Sequence, residues 1–179
     1  MIDVLLVIFI VVVTTQYVSS GIAALIISTD PAPSHCRLKE PLVEDLQAFA
    51  QHVFESQPFS LFIGAQLTKC GPGMAEMSLP IVDHVKQQQG FVHGGVISYL
   101  ADNSITFAGG LALGGNALTS EFKINYLRPA IGSLLIARAL AKGSGKRQAV
   151  CQCEIYAVNN GEEKLCAIAQ GTVVPASTE

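Results

Sequence analysis

The sequence predicts an α+β domain in which an antiparallel sheet packs on one mostly buried helix. Three observations carry this. A strongly apolar helical stretch opens near Gly94 and stops at the pair Gly109-Gly110. Four strand-length runs follow it without another helix between them, and they are separated by glycine- or proline-bearing turns. The later runs alternate apolar and polar residues with the period of a half-buried strand.

At 179 residues and with a formal net charge of −3, the chain fits one domain plus a modest extension. A domain of this size buries enough surface to need no covalent staples. A pI near 5.8 and the absence of long charge runs give no basic field for nucleic acid. The five cysteines are odd in number and lack zinc spacing, because Cys151 and Cys153 form C-x-C rather than C-x-x-C. A reducing compartment suits them better than a disulfide framework.

The mean hydropathy of +0.43 comes largely from the N-terminus. No charged residue occurs in the 26 positions between Asp3 and Asp30. As a helix this run would extend roughly 39 Å, enough to cross a hydrocarbon core of about 30 Å. A cleaved signal peptide fits poorly, since no Lys or Arg precedes the apolar run. Residues 1–30 are therefore set apart as an apolar segment, with 4–29 as a candidate membrane anchor. The other reading is an appendage or a misplaced translation start. For an anchor, Arg37 and Lys39 on its C-terminal side and Asp3 on the other put the domain in the cytoplasm. Residues 31–40 read as a linker, rich in proline and polar residues. The compact domain is expected over 41–175.

Within it, Pro41 to Ser56 reads as an amphipathic helix with Leu42, Leu46, Phe49, Val53 and Phe54 on one face. Strands are expected over Ser60 to Thr68 and Met74 to Pro80, around the turn Cys70-Gly71-Pro72-Gly73. The central helix follows, with Val96, Ile97, Leu100, Ala101, Ile105 and Ala108 covering most of its circumference. The last four strands are expected at about 117–128, 133–142, 147–158 and 164–174. In the first of them Leu118, Ser120, Phe122, Ile124 and Tyr126 face one way. In the third, Cys151, Cys153, Ile155 and Ala157 share a face, which makes the two cysteines small buried apolar residues rather than metal ligands.

Candidate chemistry lies on the central helix. Asp102 is the one charged residue between Lys86 and Glu121. A mid-helix carboxylate among apolar neighbours is costly unless it is paired, hydrogen-bonded or used. The helix opens with His93-Gly94-Gly95, where free N–H groups and the helix dipole suit developing negative charge. Either feature alone is weak; the pair is more specific.

The run Gln87-Gln88-Gln89-Gly90-Phe91-Val92-His93-Gly94-Gly95-Val96-Ile97-Ser98-Tyr99-Leu100-Ala101-Asp102 resembles the signature of hot-dog-fold acyl-CoA thioesterases, in their PaaI-like (phenylacetate-pathway) branch. Phe122-Lys123-Ile124-Asn125-Tyr126-Leu127-Arg128-Pro129-Ala130 is similar to that branch's strand after the helix. The likeness covers roughly residues 42 to 175. It implies a hot-dog fold, an antiparallel sheet wrapped around a central helix, and hydrolysis of acyl-CoA thioesters without metal or organic cofactor. It also implies residue roles. The Gly94 N–H would polarise the thioester carbonyl. Asp102 would activate water or attack to form a mixed anhydride. Gln87 would bind the thioester or the water, His93 would position, and Ser120 would place a hydroxyl near the water. Alternatives within the fold are a non-catalytic acyl-CoA-binding protein and a hydratase or dehydratase.

One geometric point is independent of the family. Asp102 lies eight residues beyond Gly94, roughly 12 Å along the helix. A short carboxylate does not reach a carbonyl held about 3 Å from that glycine. If both groups act on one thioester they come from two subunits, as in a dimer with antiparallel central helices. A homodimer, assembled further as a dimer of dimers, is expected. The CoA phosphates need cations, for which Arg128, Lys146 and Arg147 are the candidates.

Overall fold

A computed structural model of the protein describes residues 43–176. The apolar segment at 1–30 and the linker at 31–40 lie outside the described residues. Two helices come first, α1 (Val43–Glu55) and α2 (Pro58–Phe62), then strands β1 (Gln66–Gly71) and β2 (Met74–Pro80). The central helix α3 (Gly94–Leu113) follows, and β3 (Ala117–Tyr126), β4 (Leu134–Ser144), β5 (Ala149–Asn159) and β6 (Glu162–Pro175) complete the chain. All six strands form one antiparallel sheet in the order β1-β2-β4-β5-β6-β3. β3 pairs only with β6, so it forms one edge.

The inner face of the sheet, which packs on α3, mixes large residues such as Leu79, Leu135, Ile155 and Val173 with small ones. Ala137 and Ala139 of β4, Cys151 and Cys153 of β5, and Ala167 and Ala169 of β6 are all essentially inaccessible. They leave room for Leu100, Ile105 and Ala108 of the helix. The cysteines are core residues, as their alternation implies, and burial pushes their thiols up, to about 11 for Cys151 and about 12 for Cys153. The opposite face of the sheet is solvated. There Arg138 bonds Glu76 at 2.8 Å and grips Glu163 with two bonds of 2.6 and 2.7 Å, over the Tyr156 ring.

Three expectations need correction. First, α3 does not stop at Gly109-Gly110 but runs on to Leu113, where Gly114 at φ +81° caps it. The glycine pair serves packing, not termination. A Cβ on Gly109 would sit 2.6 Å from the Cβ of Val173, so only glycine lets the helix lie flush on β6. Second, Ser60 does not begin a strand. Pro58 starts the short helix α2 instead, a position where its missing N–H costs nothing. Ser60 is thereby buried against α3, where its hydroxyl accepts from Tyr99 and donates to Gln57. Third, the buried face of α1 centres on Ala50 and Phe54, and Phe49 remains 46% exposed.

Candidate active site

The N-terminus of α3 is held from both sides. His93 caps it, its Nδ1 accepting the Gly95 N–H at 2.9 Å. In the neutral ring this leaves the proton on Nε2. The imidazole is thereby spent on holding the first turn of α3. Tyr126 of β3 clamps the other side. Its hydroxyl donates to the Gly94 carbonyl at 3.0 Å and lies 2.6 Å from Ser98 Oγ. A phenol has one proton, so with that proton on Gly94 the serine is the donor of the second bond. A Cβ on Gly94 would stand 3.5 Å from the tyrosine ring, an ordinary packing contact.

Among the described residues the Gly94 N–H meets no acceptor. It belongs to the wall of a cavity of ≈ 480 Å³ that also takes in Gln87, Phe91, Tyr126 and Arg128. The turn before the helix brings Gln87 there, its own N–H bonded to the Phe91 carbonyl at 2.8 Å. Gly94, Gln87 and Arg128 are thus together. Lys146 and Arg147 are not. They occupy the turn after β4, roughly 33 Å along that strand from its start near the cavity.

Asp102 projects from the middle of α3, half-buried, and its Oδ1 is buried with no hydrogen-bond partner. It is the sole side-chain atom of that kind among the described residues. A buried carboxylate oxygen without a donor is unfavourable in an isolated chain. One turn on, Thr106 Oγ1 donates to the Asp102 carbonyl at 2.9 Å and pairs with Thr119 Oγ1 at 2.6 Å.

The strand hydroxyl facing this helix is therefore Thr119, not Ser120. A bulge in β3 is the cause: Thr119 pairs with Val173 and Glu121 with Thr172, which leaves Ser120 as the extra residue. Ser120 points out to solvent, and its hydroxyl donates back to the Thr172 carbonyl at 3.2 Å. Strict alternation along 118–126 puts Ser120 inward, and no residue of that run announces the bulge. Thr119 and Tyr126 were the two site residues that sequence reasoning missed in role.

A sheet rolled around one helix, with an open helix N-terminus and an unsatisfied carboxyl oxygen further along, is the hot-dog architecture in an enzyme-like form. The comparisons agree. The thioesterase superfamily profile matches residues 89–164, from the turn before α3 into β6. A thioesterase family protein from Silicibacter pomeroyi is 30% identical, with a TM-score of 0.69 over 72% of this chain and 96% of that one. A thioesterase from Haemophilus influenzae is 27% identical, with a TM-score of 0.62 over 76% of this chain and 91% of that one. A variant of the phenylacetic acid degradation protein PaaI from Thermus thermophilus is 28% identical, with a TM-score of 0.59 over 67% of this chain and all of that one. The chain belongs to the thioesterase superfamily, as a hot-dog-fold protein of the PaaI-like kind, and thioester hydrolysis is its general chemistry.

Proposed function

We propose that the protein hydrolyses acyl-CoA thioesters to the free acid and CoA, at sites each shared by two subunits of a homodimer. The observation that carries this is the unpartnered, buried Oδ1 of Asp102, set about 12 Å along the helix from the unpartnered Gly94 N–H. Each chain holds both halves of a thioester site and is unable to bring them together. Antiparallel packing of two α3 helices beside the β3 edges closes the gap. It also fits the exposure of Leu118 and Tyr126 along that edge. A further pairing of dimers is consistent with the same scheme.

In such a site the Gly94 N–H receives the negative charge that develops on the thioester oxygen. The helix dipole, pointing its positive end the same way, adds to it. Gln87 holds the thioester or the attacking water. The carboxylate of Asp102 either takes a proton from that water, which attacks the carbonyl carbon, or attacks the carbon itself to form a mixed anhydride that water then cleaves to the free acid. In both routes the C–S bond breaks, CoA leaves as thiolate and takes up a proton, and the carboxylate is restored. Thr119, fixed by Thr106, is the hydroxyl on the same flank. Arg128 is the cation within reach of the phosphates beside the Gly94 cavity. Lys146 and Arg147 serve only if the partner's sheet end comes over that cavity.

Were the uncharged run at 4–29 to tether the protein to a membrane, Arg37 and Lys39 after it would leave the domain on the cytoplasmic side. Among the described residues no helix is long and apolar enough to cross a membrane. The test of the main reading is release of free thiol from acyl-CoAs, with hydration of crotonyl-CoA run beside it. Thiol release supports hydrolysis; hydration without it, or binding without turnover, overturns the proposal.

A further inference from the structure

A second cavity, of ≈ 220 Å³, lies between α1, the C-terminal half of α3 and the start of β3. Phe49, Val53, Phe107, Leu111, Ala117 and Leu118 supply its apolar wall. Two of them are large side chains left in solvent, Phe49 at 46% and Leu118 at 61% exposure, and both flank this cavity. Phe49 stands there because the buried stripe of α1 runs through Ala50 and Phe54, one position round the helix. Thr106 also lines the cavity. It sits one turn beyond Asp102, whose carbonyl it bonds, so the cavity begins about 6 Å along the helix from the reacting carboxylate.

We infer that this cavity is the acyl subsite and that α1 sets the length of chain it takes. The inference rests on the proposed thioester chemistry at Asp102. A carbonyl held between that carboxylate and the partner's helix N-terminus has the larger, more polar cavity on its CoA side and this apolar one ahead of it. Size then selects. A closed apolar cavity of about 150 Å³ holds a benzene ring, so this one takes an acyl group of about eight carbons. A sixteen-carbon chain overruns it. Phe49 and Val53 form the α1 wall, and Phe49 is the side chain free to be removed without opening the core.

The test uses the full chain and a series of acetyl-, octanoyl- and palmitoyl-CoA, with the thioethers S-ethyl-CoA and S-octyl-CoA as ligands that do not hydrolyse. For the wild type, octanoyl-CoA should give the highest kcat/KM of the three. Val53→Phe, which fills the cavity, should lower the octanoyl-to-acetyl ratio of kcat/KM about tenfold. Phe49→Ala, an exposed truncation that does not threaten folding, should raise the palmitoyl-to-octanoyl ratio by a similar factor. If thioesters are cleaved and both variants scale all three substrates alike, this assignment falls while the thioesterase reading stands. If no thioester is cleaved, calorimetry decides. S-octyl-CoA binding more tightly than S-ethyl-CoA, and losing that advantage in Val53→Phe, upholds the subsite without the hydrolysis; equal binding of the two thioethers overturns it.

Discussion

In the proposed reaction Asp102 would act through a single oxygen. Oδ1 is buried and receives no hydrogen bond, while the backbone carbonyl of the same residue is bonded by Thr106. Replacing the carboxylate with the amide of the same shape keeps the packing and removes the base or nucleophile. Asp102→Asn should therefore lower kcat about 100-fold or more and leave KM nearly unchanged, measured by thiol release on a variant with wild-type circular dichroism. The neighbouring hydroxyls separate in the same assay. Thr119→Val should cost about tenfold in kcat, the effect of one lost hydrogen bond near the reacting groups, whereas Ser120→Ala should be close to neutral. Asp102 and Gly94 were legible in the chain because their residue types conflict with their surroundings: a lone charge in an apolar helix, and a glycine pair at a helix start. Thr119 was not, because inserting one residue at the bulge exchanges the two faces of the strand and leaves no mark in composition.

Among the elements, the central helix and the strands from β2 onward were readable, since periodicity and turn residues agree along each of them. In one misread piece a local signal was outweighed by a tertiary contact. Gly109-Gly110 is a stop signal by propensity, yet the helix continues through it against Val173. Helix propensity favours Gly109→Ala by about 1 kcal/mol, but the added methyl meets a fully buried valine at 2.6 Å. Overpacking of this kind costs about 1–3 kcal/mol, so the substitution should lower stability in urea rather than raise it. The outer face of the sheet makes a prediction with a pH sign. Burial pushes the Glu76 carboxyl up, but the hydrogen bonds from Arg138 and Thr68 outweigh it, and Glu163 is held down chiefly by its bonds to Arg138. Both carboxyls therefore titrate below the ordinary value of 4.5. Their contribution is present above that value and is lost as pH falls through the lowered ones. Arg138→Met should destabilise the fold by about 2 kcal/mol at neutral pH, because Glu76 keeps its charge at only 12% exposure. That penalty should shrink in parallel denaturant titrations as pH falls below 4.5 and Glu76 and Glu163 become protonated.

On the scale of the whole molecule, the proposed dimer would place its two-fold axis beside β3, one of the two edges of the sheet, and so join the two half-sites that each chain carries. Gly94 and Gln87 of one subunit then work with Asp102 of the other, so each dimer has two sites and each site draws on both chains. This arrangement has a consequence that no single-chain site shares. When a Gln87→Ala chain pairs with an Asp102→Ala chain, one site of the dimer carries both defects and the other carries neither. Random reassortment puts about half the dimers in the mixed form, each with one intact site of two. Two nearly inactive proteins, co-expressed or unfolded and refolded together, should therefore recover about a quarter of wild-type activity. Distinct affinity tags on the two chains allow the mixed dimers to be isolated, and the isolated species should reach about half the wild-type rate. Were Gly94, Gln87 and Asp102 of one chain to act together, every site would keep one defect and mixing would restore nothing. Purified mixed dimers that stay as inactive as their parents would refute the shared site.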